Sequence, residues 1–188
     1  MLKDIQRKKL THYFGILDYD NNSLIEKNDF INIAENLCVL WGYKEGSADY
    51  DYYKQRCEVQ WNNFRTFIGK NTDESSNLQE WLEYADKGIV NGSDELYEKH
   101  VNQYVRDIFD TFDTNKDGSI SLEEYIDLFM AFRIEIRYSA KSFTRIDLDN
   151  DDHISRDELL SAVREFYRSD DPNAPGNWLF GFWDGVSW

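Results

Sequence analysis

The fold is decided by the stretch DTNKDGSISLEE, residues 113–124. Side chains with oxygen atoms stand at positions 1, 3, 5 and 12 of this stretch, as Asp113, Asn115, Asp117 and Glu124. Gly118 at position 6 permits a sharp turn, and Ser119 at position 7 offers its backbone carbonyl. Because calcium takes about six to eight oxygen ligands, this spacing lets one loop wrap one ion, with Glu124 binding through both carboxylate oxygens.

A second stretch, DLDNDDHISRDE at residues 147–158, repeats the pattern. Its expected ligands are the side chains of Asp147, Asp149, Asp151 and Glu158 and the backbone carbonyl of His153. Asp152 stands where a glycine is usual and must accept a positive φ, which Asp tolerates better than most residues. We therefore expect reduced but real binding, with the His153 imidazole in solvent.

The third stretch, DYDNNSLIEKND at residues 18–29, departs from the pattern twice. Its expected ligands are Asp18, Asp20, Asn22, the carbonyl of Leu24, and Asp29. Ser23 replaces the glycine, and Asp29 replaces the final Glu. A shorter carboxylate favours six-fold coordination, which narrows the preference for Ca²⁺ over Mg²⁺. We expect a mixed Ca²⁺/Mg²⁺ site here and two or three bound Ca²⁺ ions in the whole chain.

Apolar residues three or four positions apart flank each loop, which predicts an entering and an exiting helix. The gap from Asp18 to Asp113 leaves room for a fourth, altered unit around residues 55–90. Its loop starts either at Asn71, with Leu78 at position 8, or at Gly69, with Ser76 at position 8. Neither register supplies a complete set of ligands. The sequence thus predicts an all-α fold of four helix–loop–helix units in two pairs, forming one compact body.

The expected domain boundaries follow from this pairing. Residues 1–92 form an N-terminal pair with a degenerate second unit, residues 93–169 form a C-terminal pair, and residues 170–188 form a tail packed on the core. The three histidines are scattered, and there is no Gly-rich phosphate loop and no nucleophile motif, so we do not expect an enzyme.

The composition limits the compartment and the partners. The formal charge of −15 repels nucleic acid and anionic membranes and attracts cations. No apolar run approaches the length that spans a bilayer. Two cysteines without a regular framework fit a reducing compartment. We expect a cytoplasmic monomer that does not bind nucleic acid or insert into membranes.

The loops and their flanking helices have the form of EF-hands. Three intact loops, a degenerate second unit and the tail DPNAPGNWLFG (171–181) make the chain resemble the sarcoplasmic calcium-binding proteins, including calerythrin-like and calexcitin-like members. The resemblance extends through about Gly181 and implies four hands in one body with the tail against the core. The hand usage also resembles photoproteins and luciferin-binding proteins. However, Arg164 stands near the position where photoproteins carry a histidine in the last exiting helix, and no tyrosine follows Tyr167.

Three functions are consistent with these features. The first is a Ca²⁺/Mg²⁺ buffer or signal modulator, which the stiff aromatic stripes and the small number of methionines favour. The second is a sensor that exposes an apolar surface to an unknown protein partner, with the Trp-rich tail as the moving part. The third is a carrier of an apolar, luciferin-type ligand.

Overall fold

The computed structural model describes residues 1–67 and 74–184, and it is mostly helical, which confirms the all-α class. The α-helices are α1 (Asp4–Leu17), α2 (Lys27–Leu40), α3 (Ala48–Phe67), α4 (Leu78–Tyr84), α5 (Asp94–Tyr97), α6 (Gln103–Phe112), α7 (Leu122–Ala131), α8 (Ser139–Ile146) and α9 (Arg156–Arg168). The strands are β1 (Leu24–Ile25), β2 (Ser76–Asn77), β3 (Ser119–Ile120) and β4 (Ile154–Ser155). Short 3-10 turns occupy Ile136–Tyr138 and Pro175–Trp178.

The strands join the loops in pairs. Strand β1 pairs antiparallel with β2, and β3 pairs antiparallel with β4. Ile120 faces Ile154, and both stand at position 8 of their loops. In the other pair Ile25, also at position 8, faces Ser76. The N-terminal and C-terminal loops are therefore connected by the same two-residue ladder.

This pairing settles the register of the altered unit. Since Ser76 faces a position-8 isoleucine, Ser76 is itself at position 8 and Glu80 is at position 12. The register that started at Asn71 is wrong, because it placed Leu78 at position 8. Asn77 caps α4 by accepting a hydrogen bond from the Glu80 amide at 3.1 Å. Gly69 and Asn71 themselves lie outside the described residues.

One apolar core runs through both pairs of hands. The core faces of the flanking helices point inward as the periodicity predicts, with Leu10, Val105, Phe109, Phe129 and Phe166 at most 1% exposed. Burying one such side chain contributes about 1.5–3 kcal/mol. Helix α2 packs on α3 of its own pair and on α7 of the other pair. The flanking helices of different loops are therefore in direct contact.

The link between the pairs is irregular, and sequence periodicity did not reveal this. Two π-helical segments, Ala85–Val90 and Glu98–Asn102, lie on either side of the one-turn helix α5. Gly92 is needed here, because a Cβ atom would lie 2.4 Å from the Gly88 carbonyl oxygen. The Arg168 Nε donates a 2.9 Å hydrogen bond to the Ile89 carbonyl, which ties the link to α9.

The tail lies on the core and is held by side chains from distant helices. Trp178, Leu179, Phe180 and Trp183 are each at most 4% exposed. His12 Nε2 lies 2.9 Å from the Phe180 carbonyl, and the Tyr125 hydroxyl donates a 2.7 Å hydrogen bond to the Leu179 carbonyl. Residues 185–188 of the predicted tail lie outside the described part of the chain.

A buried lysine connects the tail to α1 and α9. The Lys9 side chain is fully buried, and its Nζ donates to the carbonyls of Glu165 and Ser169 at 2.9 and 2.8 Å and to Asn177 Oδ1 at 3.0 Å. Burial lowers the pKa of Lys9 to about 8. These three acceptors satisfy the donors of the ammonium group away from water.

Candidate metal centre

The three loops share one hydrogen-bond pattern at the carboxylate of position 12. In loop 18–29, Asp29 Oδ1 accepts from the Tyr19 amide at 3.0 Å and Oδ2 accepts from the Glu26 amide at 2.7 Å. In loop 113–124, Glu124 accepts from the amides of positions 2 and 9 at 2.8 and 2.9 Å. Glu158 in loop 147–158 does the same at 2.8 Å for both. In each of these loops the carboxylate of position 12 is thus hydrogen-bonded to the backbone at the beginning of the loop.

The carboxylate of position 1 is held in an equally regular way. Asp18, Asp113 and Asp147 each accept hydrogen bonds from the amides of positions 5 and 6, at 2.9–3.2 Å. The position-6 residues Ser23, Gly118 and Asp152 have φ angles of 69°, 89° and 65°. The expectation that Asp152 adopts a positive φ is therefore confirmed, and Ser23 does the same.

The remaining candidate ligands converge inside the loops. Single carboxylate oxygens of Asp18, Asp20 and Asp29 lie within 4.8 Å of one another, as do those of Asp147, Asp149 and Asp151. In loop 113–124 the Asp117 amide donates to both Asp113 Oδ1 and Asn115 Oδ1, at 3.1 and 2.9 Å, which brings these oxygens together.

In each loop the amide of position 7 donates a hydrogen bond to the side chain of position 5. Asn22 Oδ1 accepts from the amide of Leu24 at 2.8 Å. The Ser119 Oγ donates to Asp117 at 2.8 Å and lies 3.2 Å from Nδ1 of His153. The His153 side chain is exposed, as expected from the sequence, and its Nδ1 also contacts Ser119 of the neighbouring loop.

The loops differ in electrostatics. Asp29 is 2% exposed, and its burial raises its pKa to about 6 despite the backbone hydrogen bonds that it accepts. Burial also opposes ionisation of Glu124 and Glu158, but hydrogen bonds from Ser121 and Ser155 and from the loop amides outweigh it, so both pKa values are lowered. Burial and repulsion from Asp151 raise the pKa of Asp149.

This donor set fits a hard divalent cation. All candidate ligands are oxygens, mostly carboxylates, at the spacing that calcium requires. Sequence reasoning did not identify the groups that orient the position-12 carboxylates, namely the hydroxyls of Thr114, Ser121 and Ser155. A Ser or Thr at loop position 2 or 9 could have signalled this role. The altered loop lacks a carboxylate at position 1, where the sequence has Gly69.

Helix–loop–helix units joined by a short ladder, with a carboxylate-lined loop in each intact unit, define an EF-hand calcium-binding protein. A family model described as an EF hand domain matches residues 104–132, which contain α6, loop 113–124 and α7. The chain is 23% identical to calerythrin of Saccharopolyspora erythraea over 167 residues, covering 89% of this chain and 94% of calerythrin.

Solved structures agree with the fold. A sarcoplasmic calcium-binding protein from amphioxus matches with a TM-score of 0.75 and 20% identity, covering 98% of this chain and all of that one. The coelenterazine-binding protein of Renilla muelleri matches with a TM-score of 0.71 and 20% identity, covering 96% and 99%. Together the matches support an EF-hand family of the sarcoplasmic calcium-binding protein type.

The relatives are calcium-binding and coelenterazine-binding proteins and not enzymes, in agreement with the expectation from the sequence. Within residues 1–67 and 74–184, none of the helices combines the length and the hydropathy that a bilayer crossing requires.

Proposed function

We propose that the chain is a cytoplasmic, monomeric calcium buffer or signal modulator. It binds Ca²⁺ in loops 18–29, 113–124 and 147–158, and Mg²⁺ competes at loop 18–29. Residues 1–92 and 93–169 form the two EF-hand pairs, and the tail from 170 onwards covers the core. The buried, side-chain-bonded tail is the single observation that carries the buffer role, because a sensor of the kind considered from the sequence would have to release it.

Release of the tail has a large energetic cost. Releasing the tail exposes the buried aromatic side chains of Trp178, Phe180 and Trp183. It also breaks the hydrogen bonds that the tail accepts from Lys9, at Asn177 Oδ1, and from Tyr125, at the Leu179 carbonyl, so that two donors on buried side chains lose their acceptors. Calcium binding would have to provide this free energy in a sensor, whereas a buffer closes around the ion with little change of shape.

The test is calorimetric calcium titration with and without millimolar Mg²⁺, together with binding of an apolar dye. A buffer binds two or three ions, loses affinity in Mg²⁺ at one of them and shows no new dye binding. Strong calcium-dependent dye binding, with a red shift of tryptophan emission as the tail leaves, would instead establish the sensor.

A pocket among the helices favours one second candidate, a carrier of a small apolar ligand. Its volume is about 180 Å³, and apolar side chains from both pairs line it, including Leu37, Phe64 and Phe112. An apolar cavity of about 150 Å³ can hold benzene, whereas drug-sized ligands occupy sites of about 300–1,000 Å³. A luciferin-sized ligand would therefore require the pocket to expand.

Native mass spectrometry of the purified protein distinguishes these roles. A co-purifying small molecule that is lost on denaturation supports the carrier. The mass of the chain with calcium alone counts against it and leaves the buffer role intact.

A further inference from the structure

An arginine from the C-terminal pair contacts the first calcium loop. Arg133 follows α7, and its Nη1 donates a 2.6 Å hydrogen bond to the carbonyl of Tyr19. The guanidinium carbon lies 4.6 Å from the centre of the Tyr19 ring. Tyr19 is at position 2 of loop 18–29, and its amide holds Asp29, the position-12 carboxylate. Arg133 therefore contacts both the ring and the backbone of Tyr19, and the Tyr19 amide in turn orients Asp29.

The backbone of Arg133 has a conformation that glycine adopts more easily. Its φ is 56°, in the left-handed region, where a residue with a Cβ is disfavoured relative to glycine. The turn is closed by the amides of Arg133 and Ile134, which donate to Met130 and Phe129. Glycine is the usual residue at such a helix end. A strained arginine here is therefore an outlier that calls for an explanation in its contacts.

A second set of bonds joins the same two hands. Asn36 Nδ2 in α2 donates to the carbonyls of Met130 and Ala131 in α7, at 2.8 and 3.1 Å. Trp41, which caps the end of α2, donates from Nε1 to Asp127 at 2.8 Å. Helix α2 contains Asp29, and α7 contains Glu124. The two position-12 carboxylates thus stand on helices that are bonded to each other.

We propose that Arg133 is a positioning residue for loop 18–29 and couples its calcium affinity to the occupancy of loop 113–124. The inference rests on the proposed function in that both loops bind calcium. An ion held by Glu124 fixes the start of α7 and, through the rigid helix, the place of Arg133 at its end. Arg133 then holds Tyr19 so that the Tyr19 amide points at Asp29, which raises the affinity of the first loop.

The sign of the effect separates this role from simple charge. A cation near a calcium site repels the ion, so on Coulombic grounds its removal strengthens binding. Removal of a positioning residue weakens binding. The variant R133G removes the side chain and also relieves the positive φ, so we expect the fold to be retained. The matched control R137Q removes one positive charge from the same linker, in the turn that follows.

Amide NMR resolves the loops individually, because Ser23, Gly118 and Asp152 each report on their own position-1 carboxylate. We expect R133G to weaken the calcium affinity of loop 18–29, as reported by the Ser23 amide, about five-fold. This is the effect expected from the loss of one hydrogen bond and one exposed cation–π contact. R137Q leaves this affinity unchanged or slightly raises it. Unchanged or stronger binding in R133G would overturn the positioning role.

Coupling is tested with E124Q, which disables loop 113–124. In the wild-type background we expect E124Q to weaken the calcium affinity of loop 18–29, as reported by the Ser23 amide. In the R133G background E124Q has no further effect on this affinity. Additive effects of the two substitutions would overturn the coupling.

A readout without calcium keeps the two proposals separate. We expect hydrogen exchange of the Tyr19 amide in calcium-free protein to be about five-fold faster in R133G, because the bond to Asp29 is less well held. Unchanged exchange would refute the positioning role. If Ser23 never responds to calcium while the Tyr19 exchange differs, the proposed use of loop 18–29 fails and the contact itself stands.

Discussion

Acidification should distinguish loop 18–29 from loop 113–124. Between pH 7 and pH 5 we expect calcium affinity at loop 18–29 to fall about tenfold, and affinity at loop 113–124 to change less than about 1.5-fold. The reason is the ionisation of the position-12 carboxylates. Burial raises the pKa of Asp29 to about 6, whereas hydrogen bonds outweigh burial at Glu124 and lower its pKa.

The magnitude follows from proton competition, since a carboxylate must be deprotonated to bind the ion. With a pKa of about 6, Asp29 is about 90% ionised at pH 7 and about 9% ionised at pH 5. Glu124, with a pKa below the usual value of 4.5, stays more than about three-quarters ionised at pH 5. The ratio of the ionised fractions at the two pH values gives the expected loss at each loop.

The same amide titration provides the assay. At both pH values, the Ser23 amide reports the calcium affinity of loop 18–29 and the Gly118 amide reports that of loop 113–124. Loop 113–124 is an internal control for the ionic strength and for the global effects of pH. Equal weakening of the two loops, or no weakening at Ser23, would refute the link between burial of Asp29 and the affinity of its loop.

Three other changes have expected outcomes. E124Q should remove one ion from the calorimetric stoichiometry and leave the helical circular dichroism intact; an unchanged ion count would show that loop 113–124 is not used. G176A places a Cβ 2.2 Å from the Ala162 carbonyl oxygen and should lower the free energy of unfolding by about 2–4 kcal/mol in urea melts, whereas G15A meets nothing within 4 Å and should raise it by about 0.5–1 kcal/mol. If both glycine variants shift stability alike, the tail contact is not specific. A34L adds about three carbons to the wall of the pocket and should raise stability by about 2 kcal/mol if the pocket is empty in solution, as thermal unfolding would reveal.

The loops could be predicted from sequence because their chemistry is local. Twelve consecutive residues carry the ligands, the turn and the strand residue, so Asp113 to Glu124 can be interpreted without knowing the rest of the chain. The hydrogen bonds between Glu124 and the amides of Thr114 and Ser121 follow from the same spacing. The helical class also followed from local periodicity.

Features that depend on distant residues could not be predicted. The register of the altered loop is fixed by Ile25 opposite Ser76, across a ladder between separate hands. The burial of Lys9 depends on Asn177 and on α9, and a lysine in an amphipathic helix ordinarily indicates a solvent-facing position. The Arg133 contact with Tyr19 joins two hands that are far apart in sequence.

The bonds of Lys9 and His12 to α9 and the tail have a consequence for biosynthesis. The first helix contacts acceptors that lie more than 150 positions later, at Glu165, Asn177 and Phe180. At about 5–20 residues per second, a ribosome needs roughly ten to thirty seconds to make the intervening chain. During that time the apolar face of α1 lacks its final cover. We therefore expect the nascent N-terminal helices to keep apolar surface exposed until the tail has been synthesised.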